Sequence, residues 1–291
     1  MRRLCIFLAV LLPLTALPAS AQQQPPLPKL PVPNPHILTL PVTEQGRRYQ
    51  LYVGLPPSYG KDPARRYPVV YVTDGYWDFE KISGIGGSLA YDRVVPEFIT
   101  IGLGYSGANL NYGDLRRWEL SPVPVGDNGE NSGHAADFLR VLKTRIIPLI
   151  DTEYRTDRSC RVLAGASLGG LFALYTMLNS PDLFQGYIAA TPAVTQGDDW
   201  LFRYEDQFAK SGVALHQRLY MTVGGNESPA YLNGIIRFNQ RLAARRYPGL
   251  SYEFRIIEGE RHSGSVFESY TRGLRHVFLP LAPESGPAPG S

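Results

Sequence analysis

The segment Val162-Leu163-Ala164-Gly165-Ala166-Ser167-Leu168-Gly169-Gly170-Leu171-Phe172-Ala173 runs from β-type apolar residues, through a serine flanked by glycines, into an apolar helix-forming run. A serine on so sharp a strand-to-helix turn projects its hydroxyl from the sheet edge. Glycine two positions to either side leaves space for the neighbouring backbone. The chemistry on offer is nucleophilic attack on an acyl carbon. A tight turn with no chemistry is the plainer alternative, and the strand before and helix after are the context the nucleophile requires. A hydroxyl is a weak nucleophile at neutral pH; it needs a base to take its proton, and the base needs a carboxylate to orient it.

The remaining elements must carry that base and acid to the same edge. Apolar runs of strand and helix character alternate along the chain, the pattern of helices covering a mostly parallel sheet. Short strands are expected at 37–42 and 48–55, joined as an antiparallel hairpin through Glu44-Gln45-Gly46. Further strands follow at 69–73, 98–103, 161–164, 186–190, 219–223 and 252–257, eight in all. Apolar residues recurring at three and four predict helices over 79–89, 135–150, 168–178, 231–246 and 265–278. Asn233-Gly234 weakens the first turn of the fourth. The stretch 105–133, rich in Gly, Asn, Pro and aromatics, shows no such order. It reads as the wall or lid of a cleft or, alternatively, as a structural excursion. With the serine turn at a strand end, the expected fold class is α/β: an α/β-hydrolase fold with a mostly parallel eight-stranded sheet and helices on both faces.

In that fold the chain order is serine, acid, histidine, and the serine here ends the fifth strand. The acid then belongs after the seventh strand, where Glu227 follows Gly224-Gly225-Asn226. The base belongs after the eighth, where His262 sits in Glu258-Gly259-Glu260-Arg261-His262-Ser263-Gly264. The other histidines (His36, His134, His216 and His276) fall before the fold, at a helix start, before a strand or late in a helix. Asp198 and Asp199, after the sixth strand, are an alternative acid, and a dyad without acid is a third arrangement. A tetrahedral intermediate also needs two aimed N–H groups. Leu168, after the nucleophile, supplies one at a helix N-terminus; Tyr76, in Thr73-Asp74-Gly75-Tyr76 after the third strand, is the candidate for the other.

The ends carry no chemistry. Met1-Arg2-Arg3, an apolar run from Leu4 to Leu17 and the small residues Ala19-Ser20-Ala21 read as a signal peptide over 1–21, so that no membrane anchor remains after cleavage. A Gln/Pro-rich linker spans 22–35, the α/β-hydrolase domain 36–281 and a flexible tail 282–291. Losing Arg2 and Arg3 takes the formal charge from +3 to +1, which offers no electrostatic case for nucleic acid. Cys160 is then the one cysteine left and reads as a small buried group. No Cys/His spacing suits a metal, and no cofactor is implied.

These residues together resemble the putative-esterase family of α/β-hydrolases, which includes feruloyl esterases, periplasmic siderophore esterases and the antigen-85 mycolyltransferases. The resemblance runs from about Ile37 to Pro280. Its pieces are Tyr67-Pro-Val-Val-Tyr-Val-Thr-Asp-Gly75, Leu120-Ser121-Pro122, Ile147-Pro148, Tyr154-Arg155-Thr156-Asp157, Gly165-Ala-Ser-Leu-Gly-Gly170 and Glu260-Arg261-His262-Ser263. It implies an exported serine hydrolase, periplasmic or secreted, acting on a small-molecule carboxylic ester through an acyl-enzyme. Ser167, His262 and Glu227 would be the triad, with Tyr76 and Leu168 the oxyanion donors. Arg116-Arg117-Trp118-Glu119-Leu120 resembles the family's Arg-x-x-Asp-Leu-Thr-Pro segment. Arg116 or Arg117 would there hold an anionic ligand, or equally be solvated or a helix cap, with Trp118, Tyr105, Tyr112 and Trp200 as aromatic lining or as simple packing. The family's Ser-Pro-Ser-x-Trp-Trp is replaced by Thr191-Pro192-Ala193-Val194, which weakens any inherited acyl pocket. Acyl transfer by the same intermediate and a binding protein without turnover are the alternative functions.

Overall fold

A computed structural model of the chain describes residues 35–125 and 132–279. The expected signal peptide, the linker up to its last residue and the tail lie outside the described residues. The strands are β1 (His36–Thr39), β2 (Tyr49–Gly54), β3 (Tyr67–Val72), β4 (Ile99–Tyr105), β5 (Thr156–Ala166), β6 (Gly186–Ala190), β7 (Arg218–Gly224) and β8 (Ser251–Ile257). They form one sheet in the order β1-β2-β4-β3-β5-β6-β7-β8. β1 and β2 are the antiparallel hairpin the sequence predicts, β2 joins β4 antiparallel, and every later pairing is parallel.

The sheet is buried on both faces, which is why β3, β4 and β6 read as continuous apolar runs rather than alternating ones. Side-chain period still sorts the residues: Val69 and Tyr71 of β3 enter one core, Val70 and Val72 the other. The second core is covered by helices α1 (Gly75–Tyr91) and α8 (Ser265–Phe278) through Ile82, Leu89, Tyr270, Leu274 and Phe278. The first is covered by α2 (Tyr112–Leu120), α3 (Ala135–Val141), α4 (Ile147–Glu153), α5 (Leu168–Asn179), α6 (Gln196–Ser211) and α7 (Pro229–Arg245). Ten of the twelve residues of α5 are buried, as an all-round apolar helix requires. At the open edge, β8 is half-exposed and carries Glu253 and Arg255, charges that discourage edge-to-edge pairing.

Two predicted features differ. The stretch 105–133 is not unstructured throughout: it holds α2, whose start is fixed by the Asn111 side chain accepting from Asp114 N–H at 3.2 Å. Helix α6 was not expected at all. It is entered through Gly197, Asp198 and Asp199, all at positive φ, so its periodic residues Leu201, Tyr204, Glu205 and Phe208 begin after a signal that looks like a loop. The expected helix over 135–150 is continuous from α3 to α4 through a π-helical turn at Leu142–Ile146, and Gly234 sits inside α7 without breaking it. Among the described residues no helix is long and apolar enough to cross a membrane.

Candidate active site

Ser167 stands between the C-terminal end of β5 and the first turn of α5 at φ 58°, ψ −116°. A non-glycine residue there costs on the order of 1–3 kcal/mol and persists only where its surroundings impose it. The imposition is visible. Ser167 N–H donates to Ala190 O at 3.0 Å, and its carbonyl accepts from Leu171 and Ala193 N–H at 3.0 Å each, fastening the elbow to the end of β6. Gly165 and Gly169 permit the crossing. A Cβ on Gly165 would lie 2.5 Å from the Gly169 backbone, and one on Gly169 2.1 Å from Thr73 Oγ1.

The loops after β7 and β8 are laced together. Gly225 N–H donates to Ile257 O and Asn226 N–H to Glu260 O, both at 2.8 Å, and the Asn226 amide donates to Gly259 O at 2.9 Å. The lacing brings Glu227 Oε1 to 2.7 Å from His262 Nδ1. The carboxylate is nearly buried, with 11% of its side chain exposed, whereas the imidazole is 41% exposed. Asp198 and Asp199, the alternative acids, are not at the imidazole: Asp199 pairs with Arg237 at 2.9 Å, and the carbonyl of Asp198 accepts from Arg203.

Two residues that the sequence reading missed complete the cluster. Thr191, fully buried at the end of β6, holds φ at 40°, a genuine outlier for a β-branched side chain. Its hydroxyl donates to the same Glu227 Oε1 at 2.9 Å. Tyr231, in the first turn of α7, donates its hydroxyl to Thr191 O at 2.8 Å and presents its ring edge-on to His262 at 5.4 Å between centroids. Ser167 also lies near that hydroxyl, which places Tyr231 between the elbow serine and His262. Among the described residues Ser167 and His262 share no direct hydrogen bond; such contacts are often long before substrate binds. The signal for Thr191 was a hydroxyl residue ending a strand beside the elbow. For Tyr231, 31 residues from His262 and 64 from Ser167 in sequence, there was none.

Across the cleft, Tyr76 N–H and Leu168 N–H are the first-turn amides of α1 and α5. Neither donates to another group among the described residues. Helix N-termini leave such amides free to meet an anion. Of the three residues expected to hold substrate, Arg116 reaches this region with both Nε and Nη2 on Asp74, each at 2.8 Å. Arg117 pairs with Asp114 at 2.9 Å on the surface. Trp118 is stacked between Arg47, 3.8 Å above its ring, and His134, 4.0 Å away and nearly parallel. Trp200 stacks on Tyr204 within the α6 packing, while Tyr112 and Tyr105 pack on Tyr76 at 4.0 and 6.2 Å. Trp77, beside Tyr76, is 55% exposed to solvent. On the other flank a cleft of about 630 Å³ is lined by Thr195, Asp198, Asp199, Ser228, Tyr231 and Arg237.

Beneath the site, Glu119 of α2 is fully buried beside the Tyr49 and Tyr105 hydroxyls. Burial pushes its carboxyl up to about 8, against the lowering effect of Tyr49 and the Arg47 charge. The folded state therefore holds a proton that the unfolded chain releases near 4.5. The stability this proton gives is full below that pH and is lost progressively as pH rises towards about 8. Glu119→Gln should accordingly leave the melting temperature little changed at pH 5 and raise it at pH 8.5. Equal shifts at both pH values would refute a neutral Glu119.

The arrangement has the parts of a serine hydrolase. A family model described as "Putative esterase" matches residues 43–241, a span that contains Ser167 and Glu227 and ends before His262. The chain is 25% identical over 269 residues to ferri-bacillibactin esterase BesA of Bacillus subtilis, covering 87% of this chain and 92% of that protein. It is 29% identical over 165 residues to the apo-salmochelin esterase of Escherichia coli O6:H1, covering 53% and 50%. Its fold matches the BES protein from Bacillus cereus with TM-score 0.76 at 24% identity, over 84% of this chain and 96% of that one. It also matches the siderophore hydrolase EstB from Aspergillus nidulans with TM-score 0.71 at 21% identity, over 84% and 95%. The chain belongs to the Putative esterase family of α/β-hydrolases and is a carboxylic ester hydrolase.

Proposed function

We propose that this protein is an exported serine esterase in which Ser167, His262 and Glu227 act as the triad on siderophore-type esters. The observation that carries the reading is the 2.7 Å contact between His262 Nδ1 and Glu227 Oε1, built by loops after β7 and β8 and facing the β5 elbow through Tyr231. Glu227 fixes the proton on Nδ1, which leaves Nε2 free to accept one. Rotation of the Ser167 hydroxyl from Tyr231 towards Nε2 then allows its oxygen to attack the ester carbonyl while the proton passes to His262. The carbonyl oxygen becomes an oxyanion facing the Tyr76 and Leu168 amides. Collapse breaks the bond to the alcohol, which takes the proton from His262 as it leaves. A water molecule, deprotonated by His262, attacks the acyl-enzyme; the acid departs and Ser167 regains its proton. The exposed imidazole supports water, rather than a second alcohol, as the acceptor.

The substrate class rests on the relatives, whose names place ferri-bacillibactin and salmochelin esterases among them. A xylanase/feruloyl esterase of Xylanibacter ruminicola, 26% identical over 230 residues, makes feruloyl esters the comparison arm. Export rests on the N-terminal sequence alone.

A fluorophosphonate probe should add its mass to Ser167. Turnover should then be measured on a catecholate trilactone, a feruloyl ester and a short-chain nitrophenyl ester. The expected order of kcat/KM places the trilactone first. An unmodified Ser167 overturns the mechanism, and preference for the feruloyl ester overturns the substrate class alone.

A further inference from the structure

We propose that Arg116 is a positioning residue for the oxyanion loop, aiming Tyr76 N–H by holding Asp74 rather than meeting the substrate. This rests on the assignment of Ser167 and Tyr76 in the mechanism above.

Asp74 precedes α1 in the left-handed conformation, φ 53° and ψ 43°, a region uncommon for non-glycine residues though aspartate enters it more readily than most. Its carbonyl accepts from Trp77 and Asp78 N–H at 2.8 and 3.1 Å and so starts the helix. Its side chain is not the cap. It turns inward instead, 3% exposed, and both oxygens are taken by the Arg116 fork at 2.8 Å. Parallel charge-assisted bonds of this kind fix orientation as well as distance. The Tyr76 hydroxyl adds a longer bond to Asp74 Oδ1, 3.3 Å. Arg116 Nη2 also reaches the carbonyl of Ala166, the residue before the nucleophile, at 3.5 Å. One guanidinium on α2 thus spans the loop that presents Tyr76 N–H and the strand end that presents Ser167.

Charge gives a second reason for the clamp. A bare, buried carboxylate two residues before Tyr76 would repel the negative oxygen that forms in the transition state. Paired with Arg116, it is neutralised. The other charges near the clamp do not replace that function: Asp78 pairs with Lys81 and Tyr270, and burial favours the neutral form of Glu119. Because Arg116 has both coordinating nitrogens on Asp74, an anionic substrate would have to compete for a guanidinium that is already engaged.

The test compares Arg116→Gln and Arg116→Lys with the wild type on two esters that differ only in net charge, one neutral and one anionic. Folding is checked by circular dichroism and wild-type Ser167 by fluorophosphonate labelling. Loss of one aimed donor typically costs about 10²-fold in kcat. Arg116→Gln should lose about that much on both esters, with KM changed less than about threefold and Arg116→Lys intermediate. A rise in KM confined to the anionic ester, or unchanged kcat on both, overturns the proposal. Should Arg116→Gln not fold, Arg116→Lys is read against the same two outcomes. A wild type that fails to label at Ser167 refutes the serine mechanism itself, which separates that failure from this one.

Discussion

Ser167→Ala will lower kcat on a carboxylic ester by roughly 10⁴-fold or more while leaving KM within a few-fold, because alanine keeps the cleft but removes the atom that bonds to carbon. The substitution sits at φ 58°, a conformation alanine tolerates no better than serine, so the elbow remains held by Ala190 O and Ala193 N–H. Melting temperature should therefore be close to that of the wild type. Residual turnover reports the Tyr76 and Leu168 amides and substrate binding alone. Stopped assays with enzyme in excess of the background hydrolysis rate will measure it. Ester turnover equal to the wild type would assign the attack to another nucleophile.

The second expected result separates two duties of Glu227. Glu227→Ala should cost roughly 10³- to 10⁴-fold in kcat, since nothing then selects the imidazole tautomer or balances the imidazolium. Glu227→Gln should be about tenfold milder. The reason is Thr191: its hydroxyl donates to Oε1, the atom that also faces His262 Nδ1, and by keeping that direction in the variant it would set the carbonyl rather than the amino end of the glutamine at that place. The tautomer is preserved and only the charge is lost. Pairing Glu227→Gln with Thr191→Val should remove the advantage. A kcat for Glu227→Gln no better than that for Glu227→Ala, with Thr191 intact, would show that the hydroxyl does not choose the orientation. Thr191→Val alone retains the carboxylate and should cost much less than either.

Much of the scaffold was legible because its signals are local. Continuous apolar runs mark strands buried on both faces, a hairpin turn marks the antiparallel pair, and counting strands from the elbow places an acid after β7 and a histidine after β8. Helix α2 was hidden because only nine residues of it stand in a glycine-rich stretch and its cap is a single asparagine. Helix α6 was hidden by Gly197-Asp198-Asp199, a turn signal directly ahead of its periodic part. Partnerships were less readable still. Nothing in Arg116-Arg117-Trp118 says that the first guanidinium meets Asp74, the second Asp114, and the indole a sandwich of Arg47 and His134, because a helix turns by 100° per residue and the partners come from elsewhere in the chain. Tyr231 likewise joins Ser167 and His262 only after α7 folds back over β7.

The mutual fastening of the segments that follow β7 and β8 has a mechanical consequence. Because the Gly225 and Asn226 N–H groups donate to Ile257 O and Glu260 O, a shift of one segment should carry the other with it, and so the carboxylate together with the imidazole. Breathing of the cavity would then change the gap to the nucleophile without parting proton acceptor from its anchor, and a length change in either segment would displace both.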